Sequence, residues 1–600
     1  MNPPSPSPIY LDVDGTPVFA VLHRPAPGGP GAGGPAADTA VVFCPPFGWE
    51  EVCSYRVLRE WAARLAAAGH PALRLTLPSC GDSGGDPRDP DRLAAWTQAA
   101  GRAAQLMRAQ PGVGRVALVG LGLGGVLAYG AAAAGAPVDG LVLWATPARG
   151  RALVRQLRAF ARMEAAQTSE GLPAPAPPPN GALEAGGFVL SAQTQADLEA
   201  VDLNALAMPG GLSLGVLLLD RDGIGDSAAL RDAIAAQGVA VTAGAGHGYA
   251  AMTSHPQQAD VPEDVVGQVN RWLYATGPAG ASASLATTPP DTTTTAVLAC
   301  DGTEVVETPM EVWCDFGRIS GILASPPEGD HPVAVVMLNA GAIRRIGPNR
   351  MWVEAARRWA AQGIPSLRLD VEGIGDADGS VAPYVEDGAL YVPELIPQVT
   401  AALDFLQRRD IAQRFVLVGL CGGAYWSLHA SVDDPRVSAC LMLNPRALVY
   451  DRGLAPSRDL RRLFSQPLSW DRLRRNVTGP RVLAVLRWLL GAPGRRLAAR
   501  SGAVQAPLPQ QTGAVLQRLI DSPSRAMLLF SGHEPLEEEL AAAGWMARLE
   551  QSENVWVERV AVRDHTLRPW FAQAETHAAL DRAIAREVAL PRAAGANASL

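Results

Sequence analysis

A cysteine, a glutamate and a histidine in the C-terminal half of the sequence could together cleave an acyl bond. Cys421 is the central residue of the stretch Gly-Leu-Cys-Gly-Gly, Glu534 follows a strand-like run at 525–530, and His565 follows another at 555–560. A thiolate is a strong nucleophile, a histidine can take up and return its proton, and a carboxylate can fix the tautomer of the histidine. The three residues therefore supply a nucleophile, an acid and a base in that order along the chain.

The residues around Cys421 predict a strand, a tight turn and a helix. The apolar run 415–418 precedes the turn, and residues 425–430 can continue as a helix. Gly419 and Gly423 lack a Cβ where the backbones of such a turn crowd together. A thiol at the N-terminus of a helix meets free N–H groups that favour its thiolate. A buried cysteine between glycines can instead be a small core residue, but the partners downstream favour a nucleophile.

Other residues compete for the roles of base and acid, because a sequence measures no distances. The chain reads Asn444-Pro445 after the apolar run that ends at Leu443, so no carboxylate follows that run. This favours an acid after the next apolar run, where Glu534 stands. The competing histidines are His533 and His577, and the competing carboxylates are Glu537 and Asp564.

The stretch around Cys421 resembles the nucleophile elbow of the α/β-hydrolase superfamily, with cysteine in place of the usual serine. Glu534-Pro535 is similar to the acid that follows the seventh strand in that family, and residues 563–567 are similar to its histidine loop. The resemblance implies cleavage of an ester or thioester through an acyl-enzyme, with no cofactor and no metal. The elbow is also similar to that of a poorly characterised bacterial group associated with secondary metabolism. Dienelactone hydrolases and polyhydroxyalkanoate synthases share the cysteine nucleophile.

An oxyanion hole in this family needs two backbone N–H groups. The resemblance assigns one to Gly422, directly after the nucleophile, and the other to the loop after the third strand, Leu338 to Ala342. Within that loop we favour Gly341, and Ala340 and Ala342 remain alternatives. An ordinary turn would account for the same small residues.

The sequence repeats itself. Residues 40–75 align without a gap to residues 334–369, so that Leu73 matches Leu367 at an offset of 294 residues. Both copies carry a Gly-Asp pair after the second apolar run, at Asp82 and Asp376, which we interpret as structural. The chain is thus predicted to contain two copies of one α/β unit.

The first copy lacks a nucleophile, because Gly122 stands where the second copy has Cys421. Asp222 and His247 occur where an acid and a base would follow. Without a nucleophile they are interpreted as remnants or packing residues. We expect the first copy to fold without catalysing acyl transfer, and either to buttress the second copy or to help wall its entrance.

Length and composition agree with two globular domains. The 600 residues exceed the roughly 250 to 300 at which one core stops growing, and the chain is 48% hydrophobic and 18% charged. The predicted fold is two tandem α/β-hydrolase domains, each a mainly parallel sheet flanked by helices, with cap insertions. We predict a degenerate domain at 1–276, a Pro/Thr-rich linker at 277–297 and a catalytic domain at 298–592, after an amphipathic segment from Asp264 to Tyr274.

An insertion at about 446–524 is rich in arginine and, by resemblance, forms a cap over the site. It could be a solvated helical face, or it could attract the phosphates of coenzyme A or of a carrier protein's phosphopantetheine arm. Its arginines are Arg446, Arg452, Arg458, Arg461, Arg462, Arg472, Arg474, Arg475, Arg481, Arg487, Arg495, Arg496, Arg500 and Arg518.

The remaining features exclude several classes of protein. The formal charge of −8 gives no reason to expect nucleic acid as a partner, and the seven cysteines without CxxC spacing argue against disulfides and a zinc site. The sequence shows neither a leader nor a membrane segment, so we expect a cytosolic protein acting on a small acyl substrate. Three functions stay open: a hydrolase, an acyltransferase that uses an alcohol or amine in place of water, and a non-catalytic binding or scaffold protein.

Overall fold

The computed structural model describes residues 5–26, 38–168, 178–208, 211–224, 228–275, 290–327, 331–381, 389–450 and 510–589. Within these ranges the chain forms two nine-stranded sheets and one two-stranded hairpin. None of the helices in the same ranges is long and apolar enough to cross a membrane.

The first half contains ten strands and eight helices in the described residues. The strands are β1 (Ser7–Val13), β2 (Thr16–His23), β3 (Thr39–Cys44), β4 (Ala72–Leu75), β5 (Arg115–Leu121), β6 (Gly140–Trp144), β7 (Leu183–Ala185), β8 (Phe188–Leu190), β9 (Gly215–Leu219) and β10 (Val241–Gly244). The helices are α1 (Trp49–Ala67), α2 (Arg92–Arg108), α3 (Leu123–Ala133), α4 (Gly150–Thr168), α5 (Ala192–Ala200), α6 (Ala228–Ala235), α7 (Tyr249–Met252) and α8 (Glu263–Ala275).

The second half has ten strands and seven α-helices among its described residues. The strands are β11 (Thr292–Thr293), β12 (Ala296–Cys300), β13 (Thr303–Cys314), β14 (Gly317–Ser325), β15 (Ala334–Met337), β16 (Ser366–Asp370), β17 (Phe415–Leu420), β18 (Val437–Leu443), β19 (Arg525–Ser531) and β20 (Val555–Val560). The helices are α9 (Met351–Ala361), α10 (Ile396–Arg408), α11 (Gly422–Asp433), α12 (Gln510–Asp521), α13 (Pro535–Ala542), α14 (Trp545–Glu550) and α15 (Trp570–Val588).

The two large sheets have the same strand order. The first runs β10-β9-β6-β5-β3-β4-β2-β1-β11, and the second runs β20-β19-β18-β17-β15-β16-β14-β13-β12. In each sheet the first six strands of this order are parallel and the last three are antiparallel. The prediction of two tandem α/β-hydrolase domains is confirmed.

The central strands are buried and largely apolar because helices cover both faces of each sheet. All six residues of β17 are buried, as are all seven of β5. In the second domain, α10 and α11 pack on one face and α9 and α15 on the other. This packing fixes the carboxyl ends of β15, β17, β18, β19 and β20, where the loops with the predicted site residues begin.

Two predicted segments fall partly outside the described residues. In the predicted linker, residues 277–289 are outside them, and Thr292–Thr293 and the start of β12 are in strands. Most of the predicted cap, 451–509, is also outside, and its described end contains helix α12. The segment expected to close the first domain is helix α8.

Candidate active site

Cys421 occupies a sharp turn between β17 and α11. Its backbone has φ of 59° and ψ of −111°, a conformation that costs an L residue on the order of 1 to 3 kcal/mol. A Cβ on Gly419 would clash with the backbone of Gly423, and a Cβ on Gly423 would clash with the carbonyl oxygen of Asn339. The two glycines are therefore required by the turn, for the reason that the sequence suggested.

Glu534 and His565 form the pair that the sequence predicted. The Nδ1 atom of His565 lies 2.9 and 3.0 Å from the two carboxylate oxygens of Glu534. The Ser531 hydroxyl also donates to Oε1 of Glu534 at 2.9 Å. Burial raises the pKa of Glu534, but the bonds from His565 and Ser531 outweigh it and leave the pKa below its usual value. Glu534 is thus ionised and holds Nδ1 of His565 as the donor, which leaves Nε2 facing the thiol.

Asn444, at the end of β18, fixes both members of this pair. Its Nδ2 donates to the Ser531 hydroxyl at 3.0 Å and to the backbone carbonyl of His565 at 2.7 Å, and its Oδ1 accepts from the Ser531 amide at 2.8 Å. In the sequence, Asn444 was notable only because it showed that no carboxylate follows the run that ends at Leu443. Its position at the carboxyl end of a central strand was the signal that could have revealed a positioning role.

Cys421 and His565 favour the charged forms of one another. Nε2 of His565 is buried, and no other described residue forms a hydrogen bond with it. Burial raises the pKa of Cys421, but the imidazole opposes this most strongly, with help from Arg446 and Tyr391, and the pKa falls to about 6. Burial lowers the pKa of His565, and the neighbouring thiolate more than reverses that effect. The electrostatics of the pair therefore favour a thiolate beside an imidazolium.

Tyr391 is a site residue that the sequence did not reveal. Its hydroxyl lies 3.0 Å from Sγ of Cys421, and toward a thiolate it is the donor. It ends a single 3₁₀ turn, Ala389–Tyr391, whose Leu390 carbonyl lies 3.2 Å from where a Cβ on Gly422 would be. Tyr391 precedes the nucleophile by thirty residues and belongs to no motif, so no sequence signal pointed to it.

The loop after β15 packs against the turn at Cys421, since the Asn339 carbonyl lies against Gly423. Gly341 has φ of 59°. The Ile343 amide donates to the Ala340 carbonyl at 3.1 Å and closes the turn around Gly341. The Asn339 side chain braces the loop by donating to the Ile343 carbonyl at 3.0 Å and to Asp370 at 2.9 Å. Gly422 begins helix α11 on the other side. That Gly341 and Gly422 donate to an oxyanion stays a prediction.

Arg446 is the first arginine of the predicted cap and stands close to the site. It is half-buried, and its charge lowers the pKa values of Cys421, Glu534 and His565. A cation in this position stabilises negative charge at the thiolate and at an approaching substrate.

The competing candidates have other partners. Asp564 accepts from Thr566 and from Arg568. His577 contacts the Met351 carbonyl at 3.1 Å, and Glu537 pairs with Arg559 at 2.7 Å. His533 is exposed and lies 3.6 Å from Glu538.

The equivalent turn of the first domain is filled by other side chains. Gly122 has φ of 53° and ψ of −116°, nearly the angles of Cys421. The Tyr249 hydroxyl lies 2.8 Å from where a Cβ on Gly122 would be, and it donates to Glu50 at 2.8 Å. Asp222 accepts from the backbone amides of Gly248 and Ala250, and His247 is exposed. No nucleophile therefore stands in this turn.

The order and direction of the strands in both large sheets are those of the α/β-hydrolase fold. Residues 41–259 match the family model described as Alpha/beta hydrolase family. The matched stretch lies in the first domain, and the candidate site lies in the second. A search of curated proteins finds no match.

Several solved structures match part of this chain. A dienelactone hydrolase from Anabaena variabilis is 13% identical, with 47% of this chain and 97% of that chain covered and a TM-score of 0.30. An esterase from Pyrococcus furiosus is 14% identical, with 47% and 91% covered and a TM-score of 0.32. The ferulic acid complex of Est1E from Butyrivibrio proteoclasticus is 14% identical, with 47% and 100% covered and a TM-score of 0.32.

Proposed function

We propose that the protein is a cysteine hydrolase that cleaves an acyl ester or thioester through an acyl-enzyme on Cys421. One observation carries the proposal: His565 is bonded to Glu534 at 2.9 and 3.0 Å beside a thiol whose pKa falls to about 6. Burial without a base would leave the thiol protonated and unreactive at neutral pH.

In the first step the Cys421 thiolate attacks the carbonyl carbon of the substrate. The carbonyl electron pair moves to oxygen, where the amides of Gly422 and Gly341 are proposed to stabilise the charge. As the tetrahedral intermediate collapses, the bond to the leaving alkoxide or thiolate breaks. The His565 imidazolium gives that leaving group its proton, and an acyl thioester on Cys421 remains.

In the second step water takes the place of the leaving group. Neutral His565 removes a proton from the water as its oxygen attacks the thioester carbonyl. Collapse of the second intermediate breaks the bond to sulfur and releases the acid and the Cys421 thiolate. Glu534 remains ionised throughout and stabilises the imidazolium that forms in each cycle.

The position of Arg446 favours an acyl donor that carries negative charge. Its proximity to the nucleophile extends the proposal to thioesters of coenzyme A or of a carrier protein, whose phosphates an arginine-rich cap would attract. KM for a coenzyme A thioester should then rise with ionic strength, and KM for a neutral ester should hardly change. Parallel responses to salt would remove the charged donor from the proposal.

An acyltransferase would use the same residues. An alcohol or amine would then lose its proton to His565 and attack the acyl-enzyme in place of water. Adding candidate acceptors to the acylated protein separates the two activities. Hydrolysis predicts release of the free acid at a rate that acceptors do not change, and transfer predicts an ester or amide product.

Intact mass measurement tests the acyl-enzyme directly. The protein is mixed with a panel of acyl thioesters and activated esters, and the adduct is mapped by peptide sequencing. We expect one acyl group on Cys421, no adduct on Cys421→Ala, and an unchanged adduct on the control Cys314→Ala, which removes another partly exposed thiol. An adduct on Cys421→Ala, or turnover by that variant, would contradict the mechanism. No adduct and no turnover with any donor would favour a binding or scaffold protein.

A further inference from the structure

The histidine loop of the second domain packs against the first domain. The Arg563 amide donates to the Thr168 carbonyl at 3.0 Å, at the end of helix α4. The Trp570 amide donates to Glu184 at 2.8 Å, in the β7–β8 hairpin. His565 lies between these two contacts in the sequence. The loop that carries the proposed base is therefore held at both ends by the domain that lacks a nucleophile.

Arg568 makes an ion pair across this contact. Its Nη1 lies 2.8 Å from Glu164 of helix α4, and its Nη2 lies 2.8 Å from Asp564 of its own loop. The ring of Trp49, on α1 of the first domain, stacks at 5.0 Å from the guanidinium. The three charged side chains are between 5 and 20% exposed, so water screens them poorly. Arg568 thus shares its charge between the two domains.

Asp564 carries this contact to the catalytic histidine. Its Oδ1 accepts from the Thr566 amide at 2.8 Å and from the Thr566 hydroxyl at 2.7 Å, and the Leu567 amide donates to its carbonyl at 3.0 Å. Asp564 and Thr566 are the immediate neighbours of His565. A shift of Arg568 would therefore be passed to the backbone on both sides of the histidine.

We propose that Glu164 of the first domain is a positioning residue for His565, acting through Arg568 and Asp564. The inference rests on the proposed function, since it assigns the base of that reaction a support from the other domain. Glu164 also accepts from the amide of Gly186 in the hairpin. One carboxylate thus connects helix α4, the hairpin and the histidine loop. A reacting group displaced by about 1 Å can lose about 10² in rate, so a loosened loop should be measurable.

The test compares Glu164→Gln with Glu199→Gln. The first keeps an oxygen acceptor for Gly186 and removes the charge that Arg568 meets. The second removes the charge of Glu199, which forms an exposed ion pair with Arg158 at 2.8 Å. Arg158 lies on helix α4, as Glu164 does. For each full-length variant we would measure the pH dependence of Cys421 alkylation by iodoacetamide, and kcat and KM with the best donor from the mass experiment.

Glu164→Gln should move the midpoint of Cys421 alkylation upward by about one pH unit, because a displaced imidazolium stabilises the thiolate less. It should also lower kcat by about 10-fold with KM within about twofold of the parent. Glu199→Gln should match the parent in every readout. If Glu164→Gln does not fold, Glu164→Asp takes its place, since it keeps the charge and shortens the side chain by one methylene.

The outcomes separate this inference from the proposed function. If parent Cys421 alkylates no faster than the other cysteines, the proposed function fails before any variant is compared. If the parent shows the low midpoint and Glu164→Gln leaves both the midpoint and kcat unchanged, the positioning role is overturned and the proposed function stands. Equal losses in Glu164→Gln and Glu199→Gln would also overturn it, because the effect would then not depend on Arg568.

Discussion

Cys421 differs from the other cysteines of the chain because its neighbours outweigh the effect of burial on its pKa. In the other six, burial dominates and raises the pKa of the thiol. Only Cys421 has a lowered pKa, because His565 and Tyr391 lie against its sulfur. Iodoacetamide should therefore modify Cys421 first, with a rate that rises through pH 6, where the other thiols are still protonated. Peptide mapping across a pH series checks this, and equal labelling of every accessible cysteine would contradict it.

Tyr391 should contribute to the low pKa of Cys421. A hydrogen bond to a charged group is worth about 1.5 to 3 kcal/mol, or roughly one to two pKa units. Tyr391→Phe keeps the ring and removes the donor, so the midpoint of Cys421 alkylation should rise by about one unit. Tyr425→Phe is the control. The Tyr425 ring packs edge-on against Tyr391 at 5.9 Å between ring centroids, and Tyr391 is the tyrosine whose hydroxyl contacts the sulfur. An unchanged midpoint in Tyr391→Phe would show that this hydroxyl does not stabilise the thiolate.

The two histidines at equivalent loops should differ in their effect on chemistry. His565 is bonded to Glu534, and His247 is exposed while its would-be partner Asp222 holds backbone amides. His565→Ala should lower the single-turnover rate by about 10² to 10⁴, the usual contribution of a positioned acid and base. His247→Ala should leave the rate nearly unchanged. A larger loss from His247→Ala in matched assays would mean that the active site has been assigned to the wrong domain.

The residues with a motif were predictable, and those without one were not. Cys421 and the glycines around it are determined by the local geometry of a turn, which a short stretch of sequence encodes. Glu534 and His565 follow strand-like runs that form β19 and β20, and the structure brings the pair together. The contacts of Tyr391 and Arg568 depend on tertiary packing between segments far apart in the sequence. Neither hydrophobic periodicity nor the spacing of a motif reveals such contacts.

At the scale of elements, the site forms where neighbouring parallel strands end. β17 leads to Cys421, β18 to Asn444, β19 to Glu534 and β20 to His565. Loops at the carboxyl ends of adjacent parallel strands converge on one edge of the sheet, so residues far apart in sequence meet there. Asn444 joins three of these loops at once, since it bonds Ser531 and the His565 carbonyl.

Asn444→Ala should therefore reduce both stability and catalysis. It leaves the Ser531 amide and the His565 carbonyl without their partner, which should cost about 1 to 3 kcal/mol of unfolding free energy. Loosening of His565 should lower kcat by about 10-fold with little change in KM. Asn554→Ala is the control, because Asn554 bridges to the Ser522 carbonyl at 3.0 Å at the opposite end of the same sheet. Asn554→Ala should lower the unfolding free energy and keep kcat. A normal kcat in Asn444→Ala would show that Asn444 does not position His565.

The bounds of several strands were predictable from runs of strand-forming residues. The runs at 415–418, 525–530 and 555–560 are within β17, β19 and β20. The start of β12 fell inside the predicted linker, because this short edge strand directly follows the threonine-rich stretch 292–295 that marked the linker.

At the scale of the whole molecule, the two domains exchange equivalent ion pairs. Arg74 of the first domain lies 2.5 Å from Asp376 of the second, and Arg368 of the second lies 3.1 Å from Asp82 of the first. Each pair joins an arginine and an aspartate that occupy matching positions of the repeat, at the offset of 294 residues. Such reciprocal contacts are typical of an interface with twofold symmetry. Arg345 joins the two pairs, because it contacts Asp82 at 3.0 Å and Asp376 at 2.9 Å.

Because these charges are buried, the domains should unfold together. Asp82 is 1% exposed and neutralises Arg345 and Arg368, so Asp82→Asn would leave buried guanidinium charge uncompensated. Removing one partner of a buried pair costs about 3 to 5 kcal/mol, so Asp82→Asn should lower the unfolding free energy by about that amount. The control Glu263→Gln breaks an exposed pair with Arg64 and should change it by less than about 1 kcal/mol. Calorimetry of the full chain checks both, and one cooperative transition is expected for the parent. Two separate transitions, or equal effects of the two variants, would mean that the interface does not couple the domains.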